Sequence, residues 1–159
     1  MLSKKMYDYL NERKFVSDDE FFNDLWNMAN RTLYVNMRDS YMDCPDRERA
    51  VWVGDTTVSM QQAMYGLDAN ANYLYEKVVK TVMGWKHDNI LLTVVPTLHA
   101  NMHLPFQMFL GIAGMYDYYE YTGNKEFLVE IYPHLKEYLN VWNIKEDGLI
   151  ACNNYFAML

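Results

Sequence analysis

The sequence predicts an all-α domain built from antiparallel helical hairpins. Five stretches of the 159-residue chain carry apolar residues at helical spacing, and no alternating strand pattern recurs between them. Only Gly123 and Asn124 separate the last two stretches, so the helices on either side must pack antiparallel. A chain of this length forms one domain, because about 150 residues bury roughly 68 to 70% of their unfolded surface.

The first helix is expected over about residues 18–37. Ser17-Asp18-Asp19-Glu20 has the form of a capping box, and Val16 and Phe21 occupy the positions of a hydrophobic staple. Apolar or small residues then recur at helical spacing, namely Phe21, Leu25, Met28, Ala29, Thr32 and Leu33.

Residues 38–54 lose this periodicity and contain Pro45 and Gly54, which predicts a loop. Helical spacing resumes from Asp55, the expected cap of the second helix. Gly66 interrupts the pattern, and a third helix is expected to run down to Trp85.

Residues 86–103 predict an irregular segment, since they hold Pro96, three histidines and a β-branched run compatible with a short strand. A fourth helix should follow and end at Gly123 with a left-handed cap. Asn124 should cap a fifth helix that contains Pro133, and Asp147-Gly148 should form a turn.

Composition excludes several classes of partner. Hydrophobic residues make up 51% and aromatic residues 16% of the chain, which excludes disorder. A net charge of -7 provides no basic field for nucleic acid or an anionic membrane surface. The apolar runs at 90–95 and 106–115 are shorter than the ~20 residues of a membrane span, and no signal peptide opens the chain. We therefore expect a soluble protein of unknown compartment.

Neither a cofactor nor a metal is predicted. Cys44 and Cys152 are too few for a disulfide framework, and Cys44 is expected to be a packed thiol. His99 and His103 stand four residues apart, but no third ligand recurs nearby, which favours a loop or pocket role.

The densest group of ionisable residues lies in the loop before the second helix. Asp43-Cys44-Pro45-Asp46-Arg47-Glu48-Arg49-Ala50-Val51-Trp52-Val53-Gly54-Asp55 holds four acids, two arginines and a tryptophan. Charge alone would suggest a solvated acidic loop. Cleavage of a glycosidic bond needs one carboxylic acid and a second carboxylate, and Glu48 is a candidate acid. The nearby indole would favour its protonated form and the flanking guanidinium groups its ionised form, so both states stay open.

This stretch resembles the signature motif of the family 78 glycoside hydrolases, the bacterial α-L-rhamnosidases. The resemblance runs from about Phe15 to Ile150. The other matching segments are Leu104-Pro105-Phe106-Gln107-Met108, Tyr119-Glu120-Tyr121-Thr122-Gly123-Asn124, Ile131-Tyr132-Pro133 and Asp147-Gly148-Leu149. The resemblance implies that residues 1–159 form the N-terminal part of a single six-hairpin catalytic domain. The fold would be a partial (α/α)6 toroid, acting on terminal α-L-rhamnosides with inversion.

By this resemblance Glu48 matches the general acid. Asp43, Arg47, Trp52 and Asp55 match positions that line the sugar pocket, where polar groups bond ring hydroxyls and the indole packs on the sugar. The family's general base is a glutamate on a much later segment, so it is expected outside this chain. Whether the isolated chain is active stays open.

Two other functions are compatible with the sequence. One is a non-catalytic carbohydrate-binding remnant, which would hold sugar without cleaving it. The other is a half-toroid that closes by self-association, because an incomplete ring exposes helix faces. The expected partners are thus a rhamnoside together with either the remainder of the catalytic domain or a second copy. Val51 and Val53 depart from the residues common in the motif, which leaves the sugar identity open.

Overall fold

A computed structural model of the chain describes residues 12–97 and 103–151, and most of these residues are helical. The five predicted helices are present, with ends that differ from the expected ones by a few residues. The helices are α1 (Glu20–Asn36), α2 (Val53–Gly66), α3 (Ala71–Gly84), α4 (Pro105–Thr122) and α5 (Lys125–Leu139). The strands are β1 (Val51–Trp52), β2 (Val94–Val95), β3 (Asn143–Ile144) and β4 (Ile150–Ala151).

The start of α1 differs from the predicted capping box. Asp19 is the N-cap, and its carboxylate accepts a hydrogen bond from the Phe21 N–H at 2.9 Å. The Ser17 hydroxyl instead accepts from the Asp19 N–H, and the Ser17 N–H donates to Asn23. The prediction that Ser17 caps the helix is therefore wrong, because Ser17 lies two residues before the N-cap.

The apolar stripe of α1 is largely exposed. Phe21 and Met28 expose 65% and 62% of their surface, and Val16 exposes 86%. With Asp19 as the N-cap, Val16 and Phe21 no longer occupy the positions of a hydrophobic staple. The helix instead buries Asn30 and Leu33 on its inner face.

Helix α2 begins two residues before the predicted cap. Trp52 stands at the N-cap position without a side-chain capping bond, and Asp55 lies in the first turn. The prediction that Asp55 caps this helix is therefore wrong. Its first-turn carboxylate still lies where the helix dipole favours negative charge.

The four later helices form two hairpins, α2–α3 and α4–α5, and the hairpins pack side by side. Helix α2 lies against α4, and α3 lies against α5. Two glycines of α4 permit the α2–α4 contact: a Cβ at Gly111 would meet Val53, and one at Gly114 would meet Thr57. The backbones of α2 and α4 therefore approach more closely than larger residues would allow.

The predicted connection of α4 to α5 is confirmed. Gly123 ends α4 with φ 68°, and the Asn124 side chain caps α5 by accepting from the Phe127 N–H at 3.1 Å. The Tyr118 and Phe127 rings meet with centroids 5.2 Å apart. Pro133 lies inside α5 as expected.

Two short antiparallel ladders complete the described fold. β1 pairs with β2, with Trp52 opposite Val94, so the strand expected in the irregular segment is present. β3 pairs with β4 around the predicted Asp147-Gly148 turn, where Gly148 has φ 80°. Among the described residues, every helix falls short of the apolar length that crossing a bilayer demands.

Candidate active site

The acidic loop, residues 43–50, lies between two buried anchors. Tyr41 and Met42 precede it in the core, and Val51 follows it in β1. The Met42 N–H donates to the carbonyl of Asn36 at 2.8 Å, which ties the loop to the end of α1. The polar residues between the anchors are mostly exposed, so the fold fixes the ends of the loop and leaves its charged groups accessible to solvent.

Asp43 closes the loop on itself. Its N–H donates to the Ala50 carbonyl at 3.0 Å, and its carboxylate accepts from the Ala50 N–H at 3.0 Å. Arg49 takes a left-handed conformation with φ 54°, a turn that non-glycine residues rarely make. These contacts bring the two ends of the loop together and fold Glu48 back toward Asp43.

Asp43, Cys44 and Glu48 form one cluster. One ligand atom from each lies within 4.8 Å of the others. Burial disfavours the Asp43 carboxylate, but hydrogen bonding with the Cys44 and Glu48 side chains and with backbone N–H groups outweighs this effect. The pKa of Asp43 is therefore lower than its ordinary value. The distances between these three ligand atoms would also suit a cation, although the hydrogen bonds already stabilise the negative charge of Asp43.

The two arginines of the loop pair with neighbouring acids. Arg47 contacts the Glu48 carboxylate at 2.7 Å, and Arg49 lies 3.9 Å from Asp46. The Arg47 side chain is 82% exposed, so solvent screens its attraction for Glu48. Arg47 thus lies beside the candidate acid.

Trp52 and Asp55 come from the strand and helix that follow the loop. Trp52 is half-buried, and its Nε1 is buried without a hydrogen-bond partner among the described residues. Asp55 is exposed and accepts a hydrogen bond from Gln107 Nε2 at 3.2 Å. Among residues 12–97 and 103–151, no hydrogen bond or ion pair joins Asp55 to Asp43 or Glu48. The structure thus joins Asp43, Arg47 and Glu48 directly and leaves Asp55 with a different partner.

The starts of α2 and α4 are tied together at this end of the hairpins. Gln107 accepts from the Gly54 N–H at 2.8 Å through its side-chain oxygen. Thr93 makes a second link, since its carbonyl accepts from the Val53 N–H at 2.9 Å and its hydroxyl from the Leu104 N–H at 3.2 Å. Neither Gln107 nor Thr93 was predicted from the sequence to have a site role. The position of Gln107 in a segment that matches the family was the signal available for it.

Of the two histidines and two cysteines considered from the sequence, His103 and Cys44 lie within the described residues. His103 lies in the loop before α4, as expected, and is buried with its Nε2 2.7 Å from the Tyr138 hydroxyl. Cys44 is a half-buried free thiol beside Asp43. His99 and Cys152 lie outside the described residues. A cleft of about 230 Å³ between α3 and α5 contains none of the predicted site residues.

Paired helical hairpins define an all-α domain, and a pair of carboxyl groups lies close together in the loop before α2. Residues 11–155 match the family model of the bacterial alpha-L-rhamnosidase 6 hairpin glycosidase domain. The match covers most of the chain, which therefore belongs to this family.

Two relatives show the same likeness. An alpha-L-rhamnosidase of Formosa agariphila is 28% identical over 158 residues, covering 86% of this chain and 16% of that protein. The crystal structure of a family GH78 rhamnosidase of Bacillus sp. GL1 is 25% identical, with a TM-score of 0.78, over 91% of this chain and 15% of that one. The resemblance and the partial all-α toroid are thus confirmed, and the chain spans about a sixth of the length of these relatives.

Proposed function

We propose that this chain is part of an α-L-rhamnosidase in which Glu48 is the general acid. The observation that carries the proposal is the contact between the Asp43 and Glu48 carboxyl groups, held in place by the closure of the loop. Family membership supports the substrate class, since the matched relatives are named as rhamnosidases.

The position of Glu48 supports the acid role, because the closed loop holds its carboxyl group beside Asp43 and leaves it accessible to solvent. A general acid has to hold a proton near the leaving oxygen. The exposed Arg47 guanidinium lies beside Glu48, where it can contact the same substrate.

Asp43 is poorly placed to be the general base. An inverting pair needs a separation of roughly 6.5 to 9.5 Å, because the attacking water lies between the two carboxyl groups. One oxygen of Asp43 lies within 4.8 Å of one oxygen of Glu48, a separation shorter than an inverting pair requires. We therefore propose an inverting mechanism whose base is a glutamate outside this chain.

The other site residues would hold the sugar. Arg47 and Asp55 offer charged hydrogen-bonding groups to ring hydroxyls, and Trp52 offers an indole face. We further propose that residues 1–159 are the N-terminal part of one catalytic domain, completed by additional helical hairpins. The coverage of about a sixth of each relative supports this division.

The test is the Glu48→Gln variant in the complete polypeptide that contains this chain. Removal of a general acid lowers turnover by about 10² to 10⁴-fold on a rhamnoside with a poor leaving group. The loss is smaller on an aryl rhamnoside with an acidic phenol, since that leaving group departs without a proton. Steady-state kinetics on the two substrates measure both losses.

Asp46→Asn is the matched control, because Asp46 is an exposed acid of the same loop. Its turnover should stay near that of the unmodified protein. Equal activity of Glu48→Gln and the unmodified protein on the poor leaving group would remove Glu48 from the acid role. Saturable rhamnose binding without product release by the complete protein would instead favour the carbohydrate-binding alternative.

A further inference from the structure

We infer that Gln107 is a positioning residue that orients the Asp55 carboxylate for the sugar and caps helix α2 at the same time. This inference rests on the proposed function. It adds a residue from α4, 52 positions after Asp55 in the chain, to a site otherwise drawn from residues 43–55.

The backbone of α2 fixes which way the Gln107 amide faces. A backbone N–H can only donate, so the amide atom 2.8 Å from the Gly54 nitrogen has to be the oxygen. The amide nitrogen then has to lie on the other side, where it donates to Asp55 Oδ2 at 3.2 Å. The reversed amide would place one N–H group against another and an oxygen against a carboxylate.

Gly54 makes this arrangement possible. A Cβ at Gly54 would collide with the Gln107 amide, so only glycine leaves the space that the side chain fills. Helix α2 has no capping side chain at its own N-cap, Trp52. Gln107 therefore satisfies one of the N–H groups that a helix leaves unpaired at its start.

Helix α4 holds Gln107 firmly. Gln107 lies in the first turn of α4, which packs closely on α2 through Gly111 and Gly114. Thr93 bonds the start of each helix through separate atoms. Gln107 thus donates a hydrogen bond to one carboxylate oxygen of Asp55. The second oxygen has no hydrogen-bond partner among the described residues and is free for a sugar hydroxyl.

Gln107→Glu in the complete polypeptide separates the two roles. The new carboxylate still accepts from the Gly54 N–H, but it has no proton to donate and repels Asp55. The melting temperature should stay near that of the unmodified protein. KM for a rhamnoside should rise about tenfold or more, with a smaller change in kcat, because Asp55 contacts sugar before and during reaction.

Gln61→Glu is the matched control. Gln61 of α2 donates to Asp117 of α4 at 2.9 Å, the same kind of amide-to-carboxylate contact between the same two helices. This variant should leave KM unchanged. In an Asp55→Asn background the amide introduced at position 55 can donate to the carboxylate introduced at position 107, so Gln107→Glu should have little further effect on KM.

Unchanged KM and kcat in Gln107→Glu, with Glu48→Gln inactive, would overturn the positioning role and leave the proposed function intact. An equal rise of KM in Gln107→Glu and Gln61→Glu, or additive effects with Asp55→Asn, would also overturn it. A protein whose Glu48→Gln variant keeps full turnover on a poor leaving group would overturn the proposed function instead.

Discussion

The two neighbours of α2 are packed in opposite ways. Against α4 the contact is close and specific, since Gly111 and Gly114 of α4 admit Val53 and Thr57 of α2. Against α1 the contact is limited to the inner residues of that helix, and most of its apolar stripe is exposed. The candidate site lies where α2 and α4 begin, so the close contact between these helices holds the site residues in place. Helix α1 also contacts α2 and exposes one face to solvent.

The largest expected effect comes from breaking the close contact. Gly114→Leu would drive a side chain into Thr57 and should lower the free energy of unfolding by about 3 kcal/mol or more. Gly84→Ala is the control, because nothing lies within 4 Å of a Cβ there. Its expected effect is neutral or stabilising by roughly 0.5 to 1 kcal/mol, since alanine favours the helix. Denaturant unfolding of both variants measures the difference.

An intermediate effect is expected at the loop that joins α1 to α2. Asp43→Asn should cost about 1 kcal/mol at neutral pH, because it weakens the hydrogen bonds that close the loop. The lowered native pKa of Asp43 stabilises the fold fully above its ordinary value of 3.8 and progressively less as the pH falls through the native value. The difference in unfolding free energy between the unmodified protein and the Asp43→Asn variant should therefore shrink in acid.

Urea unfolding measured from pH 6 down to pH 2 tests this dependence. Asp46→Asn serves as the exposed control in the same loop. A gap that stays constant through this range would show that the Asp43 charge does not hold the loop.

The smallest effect is expected on the exposed face of α1. Leu25→Ala on α1 should change the free energy of unfolding of this chain by less than about 0.5 kcal/mol, since Leu25 is 44% exposed. Leu33→Ala on the same helix removes a buried side chain and should cost about 2 kcal/mol or more. If further hairpins cover this face, the Leu25 cost should grow in the complete polypeptide. Thermal unfolding of the Leu25→Ala variant in this chain and in the complete polypeptide measures the two costs.

Local sequence signals predicted the ends of the later helices. Gly123 and Asn124 fixed the α4–α5 connection because a left-handed cap and a side-chain cap act within a few residues. The same reasoning failed at α2, whose first turn is capped by Gln107 from another helix. It also failed at Ser17, where an equally good local partner, Asp19, begins the helix.

The motif predicts which residues form the candidate site, but it does not predict the contacts that they make. The motif placed Asp43 and Glu48 in one loop, but their meeting depends on the left-handed Arg49 and on the Asp43–Ala50 closure. The Gln107 bond to Asp55 joins helices through tertiary packing, which no local pattern encodes. The exposure of α1 depends on what lies beside it rather than on its own sequence.

The capping of α2 by Gln107 has a consequence for the order of folding during synthesis. The ribosome makes Gly54 and Asp55 53 and 52 residues before it makes Gln107. Until the later segment emerges and docks, the first turn of α2 lacks this cap, and the Asp55 side chain lacks the amide that orients it. The nascent chain therefore completes the first turn of α2 only after α4 has packed against it.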